Sequence, residues 1–165
     1  MKDKIKHYAK ELLYFVIFIT LFANIISWYK SQELNEAPLQ LKSVQLIDGS
    51  IYTLDRKKPI LIHFWATWCP TCKLEASNID FIAKHFNVLT IAVNSGSNLE
   101  IQNYLQKHDY TFKVVNDAQS LLSSEFHIAG FPTTFIYDKE QKLRFSEVGY
   151  TSILGLYLRL WWSSL

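Results

Sequence analysis

Only two cysteines occur in the 165 residues, Cys69 and Cys72, and the single methionine is Met1. Two cysteines three positions apart make a poor structural staple, because so small a closed loop removes little entropy from the unfolded chain. They are also only half of a tetrahedral zinc site, and no further cysteine completes it. Charge of either sign is nearly balanced at a formal +2, which gives no argument for nucleic acid or any other polyanion. Internal repeats and low-complexity segments are absent. His7, His85, His108 and His127 lack metal-ligand spacing and read as surface residues, so no metal site is expected. What remains for the cysteine pair is chemistry.

Long uncharged runs are equally scarce, with one exception. Leu12 to Tyr29 reads LLYFVIFITLFANIISWY without a charge. A bilayer-spanning helix needs roughly 20 mostly apolar residues, a length this run just reaches. Trp28 and Tyr29 stand at its far end, where interfacial aromatics belong. Lys2, Lys4, Lys6 and Lys10 precede it, and Lys30, Glu33 and Glu36 follow. The positive-inside bias then leaves the N-terminus in the cytoplasm and the rest outside. A cleaved signal peptide is the rival reading, but the run is long for one and no small-x-small cleavage site follows. Asn24 is a lone polar residue in the run, or a helix–helix contact. The expected organisation is a cytoplasmic tail at 1–11, an anchor at 12–29, a polar linker at 30–38 and a folded domain at 39–165.

Within that domain, Leu41 to Leu46, Asp48-Gly49 and Ile51 to Leu54 predict a β-hairpin. Ile60 to Ala66 is apolar almost throughout, as in a strand covered on both faces. Pro70 fits only the first turn of a helix. That helix is expected to reach about His85, with Leu74, Ile79, Ile82, Ala83 and Phe86 as its apolar stripe. Val88 to Val93 predicts a second buried strand. Ser97-Asn98-Leu99-Glu100 matches a capping box opening a helix to about His108. A strand at Phe112–Val115, a short helix at Gln119–Phe126, strands at Thr133–Tyr137 and Leu143–Val148, and a helix at Thr151–Trp162 complete the order. A strand–helix–strand unit implies a parallel pair, and the tight turn between the last two strands implies an antiparallel one. The fold class is therefore α/β, a central mixed sheet flanked by helices.

The pair Cys69–Pro70–Thr71–Cys72 follows a buried strand and opens a helix. A helix N-terminus carries partial positive charge and unpaired N–H groups. Both favour a thiolate, and cysteine pKa values at such sites fall from about 8.5 to roughly 3.5–7.5. Cys69, ahead of the helix, is expected to be exposed and to be the nucleophile. Cys72, one turn later and more buried, resolves the mixed disulfide. Pro70 stiffens the turn and should shift the redox potential.

ILIHFWATWCPTC, followed further on by GFPTTFIYD, resembles the thioredoxin superfamily. The anchor, the CPTC motif and Glu75 resemble its membrane-tethered group of TlpA, ResA and cytochrome c maturation thioredoxins. FWATWCPTCKLEASNID, VNSGS, VVND and SEVGYTSILGLYLRLW look most like the suppressor-of-copper-sensitivity type D (ScsD-like) proteins of that group. The similarity spans about residues 39 to 162. It implies a thioredoxin-like fold and a cis bond between Phe131 and Pro132, in a loop lying against the disulfide and pairing with bound substrate. It implies a protein-disulfide oxidoreductase of the bacterial inner membrane and periplasm, single-pass, exchanging disulfides with extracytoplasmic protein thiols, mostly as a reductant. It also implies a recharging membrane electron carrier of the DsbD kind, the lipid bilayer as a partner, and no cofactor beyond the Cys69–Cys72 disulfide. Glu75 then tunes the cysteines or takes the proton of Cys72, against the plain alternative of a solvated first-turn glutamate.

His63 stands where cytoplasmic thioredoxins carry a buried acid; it is a satisfied core histidine or a proton acceptor near neutral pH. Trp68 is expected to shield the disulfide and offer an apolar docking surface, and Trp65 to be core. Thr133 is a substrate contact or an ordinary strand start. The Leu156-Leu160-Trp161 stripe reads as packing rather than a partner groove. The competing function is copper(I) binding or delivery by the same dithiol, in line with copper tolerance, although Met1 is the only methionine and gives no soft-ligand support. A peroxidase of this fold is disfavoured, since no Thr-x-x-Cys motif with its arginine is present.

Overall fold

The structure, a computed structural model, describes residues 2–31, 34, 35 and 37–165. One helix, α1 (Lys2–Ser31), contains the uncharged run and continues back through the expected tail. Its most apolar window, Lys10–Ser27, is long enough to cross a membrane and buries none of its described side chains in the rest of the chain, touching it only near its Ser27 end. Of the expected flanks, Glu33 and Glu36 lie outside the described residues, as do the side chains of Lys2, Lys4, Lys6, Trp28, Tyr29 and Lys30.

The linker is not a free spacer. Leu34 and Leu39 are buried in the domain. Asn35 donates through its backbone to the Phe126 carbonyl and through Nδ2 to the Glu125 carbonyl. Burying one leucine is worth roughly 1.5–3 kcal/mol, enough to hold this segment down. Its polar composition concealed those two apolar anchors.

Strands β1 (Ser43–Gln45) and β2 (Ile51–Thr53) form the expected antiparallel hairpin. Its turn rests on Gly49 at φ +86 and on Asp48, whose carboxylate accepts from the Ser50 N–H. The main sheet contains β3 (Ile60–Trp65), β4 (Asn87–Val93), β5 (Val114–Asp117), β6 (Thr133–Tyr137) and β7 (Leu143–Val148) in the order β5-β4-β3-β6-β7. β3, β4 and β5 run parallel, while β6 pairs antiparallel with both β3 and β7. Between them stand α2 (Pro70–Ala83), α3 (Asn98–His108) and α4 (Leu121–Glu125), with α5 (Ile153–Trp162) last.

Alternation along the strands sends side chains to two cores. On one face Leu61, Trp65, Val88, Ala92 and Ile136 meet Ile79 and Ile82 of α2, Ile101 of α3, and Leu156 and Leu160 of α5. On the other, Ile62, Phe64, Leu89, Ile91 and Phe135 meet Leu34, Leu39, Leu46, Leu54 and Phe126. Full coverage of β3 explains why its sequence shows no polar alternation.

The expectations needed correction at several points. β5 begins two residues later than expected, because Phe112 enters the core ahead of strand pairing. Leu74 does not belong to the buried stripe of α2, being 71% exposed; Ile79 and Ile82 are buried as expected, and Cys72, Glu75 and Ala76 are buried with them. The capping box at Ser97 and Glu100 is formed on both sides.

Candidate active site

α2 begins where β3 ends, at the edge of the helical core. Cys69 is its N-cap, with extended backbone, and Pro70 occupies the first turn. Cys69 Sγ accepts from the Cys72 N–H at 3.2 Å, so one of the helix's unpaired donors points at the sulfur. The two cysteines are joined in a disulfide with Cα atoms 5.3 Å apart.

The expectation of an exposed Cys69 needs correction in this oxidised form. Cys69 is 5% exposed and Cys72 2%. Their order is as expected, but the first sulfur is tucked into the core cluster against which Phe131 packs. Access therefore depends on the rim. Trp68 stands on that rim, largely exposed, its Nε1–H donating to the Asn94 carbonyl at 3.1 Å and its ring meeting Phe131 edge-on at 5.7 Å. Pro70 is exposed and Thr71 half-buried beside it. Trp65 is core, its Nε1–H donating to Thr90 Oγ1.

The loop after β4 supports this rim. Asn94 adopts a positive φ, and Ser95 Oγ accepts from the Thr67 N–H at 3.0 Å. Asn94 and Ser95 were missed as individual site residues, because the Asn94 carbonyl and the Ser95 hydroxyl reach Trp68 and Thr67 only once the loop after β4 folds against the rim. On the opposite side, the Phe131–Pro132 bond is cis. The Pro132 carbonyl accepts from the Gly149 N–H at 2.8 Å. Thr133 needs correction as a side-chain substrate contact: it is fully buried and its Oγ1 donates to the Gly130 carbonyl, closing the loop on itself.

Glu75 is fully buried, which removes the solvated reading. Its Oε1 accepts from the Thr151 N–H at 3.0 Å, while Oε2 has no partner among the described residues. Burial pushes its pKa up to about 8, against the Thr151 N–H and with the help of the nearby Glu147 charge. Glu147 is held by Thr151 Oγ1 and by an ion pair with Arg159. Asn78 Nδ2 donates to the Tyr150 hydroxyl and to the Thr151 carbonyl, stitching this loop to α2. Glu75 is thus a carboxylic acid at neutral pH, one helical turn from Cys72.

His63 is buried in β3, with Nδ1 2.9 Å from Thr134 Oγ1. Burial lowers its pKa to about 3, so it is neutral and satisfied, and cannot take up a proton near pH 7. The four other histidines are exposed. Among the described residues no group of three His, Cys, Asp or Glu side chains could hold a metal ion. A cleft of about 540 Å³ opens beside the disulfide, lined by Thr71, Phe131, Gly149 and Tyr150 on one side and Asn24 and Ser27 of α1 on the other.

The family model described as the AhpC/TSA family matches residues 34–146. The chain is 31% identical over 164 residues to a protein of Haemophilus influenzae named "Thioredoxin-like protein", covering 99% of this chain and 96% of that one. It is 27% identical to the sporulation thiol-disulfide oxidoreductase A of Bacillus subtilis, covering 86% and 91%. The exposed lipoprotein thioredoxin Etrx1 of Streptococcus pneumoniae superimposes with a TM-score of 0.64 at 26% identity, covering 75% of this chain and 98% of that one.

Proposed function

The chain belongs to the AhpC/TSA family, as a thioredoxin-like thiol–disulfide oxidoreductase, and we propose that it works outside the cytoplasm, tethered to the membrane by α1, reducing disulfides in protein substrates. The observation that carries the chemistry is Cys69 at the N-cap of α2, receiving the Cys72 N–H, with Cys72 in bonding range behind it. In the reduced protein the Cys69 thiolate attacks a substrate disulfide, forming a mixed disulfide and expelling one substrate thiolate. Cys72 then loses its proton and attacks Cys69 Sγ. The second substrate thiolate leaves and the Cys69–Cys72 disulfide remains, two electrons having passed to the substrate.

Glu75 is placed to serve the proton step. An acid with a pKa of about 8 exchanges its proton near neutral pH. Trp68 and Tyr150 give the rim an exposed apolar surface against which a polypeptide substrate packs. Tethering is supported by the length of the Lys10–Ser27 window and by the exposure of its described apolar side chains. An extracytoplasmic place is supported by that tether and by the likeness to an exposed lipoprotein. Regeneration of the dithiol then needs a membrane electron carrier of the DsbD kind. Copper(I) delivery, the second reading, would use the same two sulfurs in their reduced form.

The deciding experiment is a redox titration of the full chain against glutathione. A potential near −270 mV supports a reductant, and one near −120 mV makes the protein an oxidant and overturns the direction proposed.

A further inference from the structure

α5 is apolar on every side. Leu156 and Leu160 point into the core, as a surface helix requires. Its outward face should then be polar, and it is not. Leu154, Leu158 and Trp161 follow one another at spacings of four and three, which places them in one line on the side of the helix opposite Leu156 and Leu160, and Leu165 stands just beyond the helix end. Tyr157 and Trp162 flank that line. All six side chains are exposed, from 43% for Tyr157 to 75% for Leu165. The one charge within the helix, Arg159, is turned aside: it pairs with Glu147 and lies over the Phe145 ring. Gly155 leaves room for it, since a Cβ there would stand 2.8 Å from Arg159 Nη1. α3, also on the surface, shows the ordinary pattern and exposes Glu100, Asn103, Gln106 and Lys107.

Two further observations say what covers this face. The same strand, β7, holds both α5 and the membrane helix. Phe145 and Glu147 grip Arg159 of α5, and the Val148 N–H donates to Ser27 Oγ of α1 at 3.1 Å. Ser27 ends the apolar window, so a bilayer crossed by α1 lies next to α5. The C-terminal end of the stripe also has basic side chains at its margin. Lys139, Lys142 and Arg144 line a cleft with Trp162 and Leu165, where Arg144 pairs with Asp138 and Glu140 is also present, and Lys58 and Lys84, paired with Asp55 and Asp80, line another beside Ser164. A stripe of leucines ending in paired tryptophans, with lysines at its margin, is the composition of a helix lying in a membrane interface.

We propose that the outer face of α5 is a second membrane contact, seated in the acyl-headgroup boundary of the bilayer that α1 crosses. The inference rests on the reading of α1 as an anchor. With α5 flat on the bilayer, the domain lies on its side. The disulfide, at the end where α5 begins, faces along the membrane plane toward substrates held at the same surface.

The test uses the full chain in phosphatidylethanolamine–phosphatidylglycerol vesicles with brominated acyl chains, read by tryptophan fluorescence. Trp28→Phe removes the tryptophan of α1, and Trp161→Ser with Trp162→Ser removes those of α5. Bromine should still quench the Trp28→Phe chain, and the quenching should be lost in the triple variant. Retained near-ultraviolet circular dichroism in the triple variant shows that it is folded. If bromine fails to quench the Trp28→Phe chain, α5 does not touch lipid and the proposal is overturned. Shielding of Trp161 and Trp162 from acrylamide without bromine quenching would show that protein, such as a second copy, covers the face, and overturns it equally. The anchor is read separately, by resistance to alkaline carbonate extraction. Extraction of a chain that bromine had quenched would remove the α1 reading and leave α5 standing.

Discussion

Replacing Glu75 by glutamine should make the protein markedly more stable above neutral pH while leaving it nearly unchanged at pH 5. The wild-type carboxyl has a folded pKa of about 8 against an ordinary value of 4.5. Below pH 4.5 both folded and unfolded chains hold the proton, and nothing is lost. Between 4.5 and about 8 the unfolded chain has released it while the folded chain retains it. Stability then falls as pH rises, by up to about 1.4 kcal/mol per pH unit. Over that window the loss is on the order of 3–5 kcal/mol, a large share of a typical domain's stability. His63 works in the opposite sense. Its folded pKa of about 3 lies below the ordinary 6.5, so stability falls as pH drops below 6.5. The two slopes cancel between about 4.5 and 6.5, and the wild type should show a plateau there with a decline on either side. Glutamine keeps an acceptor for the Thr151 N–H and never ionises. Urea unfolding of the oxidised protein, repeated from pH 4 to 9, reads the effect directly. The Glu75→Gln curve should stay flat above pH 6.5 where the wild type declines. Parallel curves for the two proteins would refute the buried-acid account.

Substituting His63 by leucine leaves Thr134 Oγ1 without its partner, at a neutral-pH cost of about 1 kcal/mol. Between pH 7 and pH 4 the variant should gain about 3 kcal/mol on the wild type, measured by the same unfolding series; no gain would mean that His63 charges freely in the folded protein. Cys72→Ala should accumulate a mixed disulfide through Cys69, seen as a mass shift abolished by dithiothreitol, and Cys69→Ala should accumulate none; trapping through residue 72 instead would invert the assigned roles. Trp68→Ala should lower kcat/KM several-fold for a protein substrate and leave reduction by dithiothreitol unchanged, because it removes rim surface and no reacting atom. Equal losses with the protein substrate and with dithiothreitol would place Trp68 in the chemistry itself.

What the sequence disclosed followed from how local each signal is. The helix opened by Pro70 and the hairpin at Asp48-Gly49 depend on neighbouring residues, and both were readable. β6 and β7 were placed to the residue because Pro132 and the turn at 138–141 bound them. β5 was displaced because Phe112 is as apolar as a strand residue, and only pairing with β4 shows where the ladder begins. Leu74 fits the helical period of α2, yet no element lies over it. The burial of Glu75 could not be read from α2 at all, since its partner Thr151 is 76 residues away. Cys69 was expected in solvent because nothing nearby in the chain reveals that Phe131 joins the core packed around it. The apolar residues of α5 were visible, but their division into a buried face and an uncovered one shows only once α2 and the sheet lie beneath them.

That division joins the outer helix to the redox centre. The turn leading into α5 supplies the Thr151 N–H that holds Glu75, and the second turn of α5 supplies the Arg159 charge that compensates Glu147. These contacts act on Glu75 in opposition to its burial. The N–H favours the ionised form directly, and Arg159 offsets a neighbouring carboxylate that disfavours it. The acid one turn from Cys72 is therefore supplied by α2, its proton affinity is raised first of all by burial, and the turn leading into α5 moderates that rise through the Thr151 N–H.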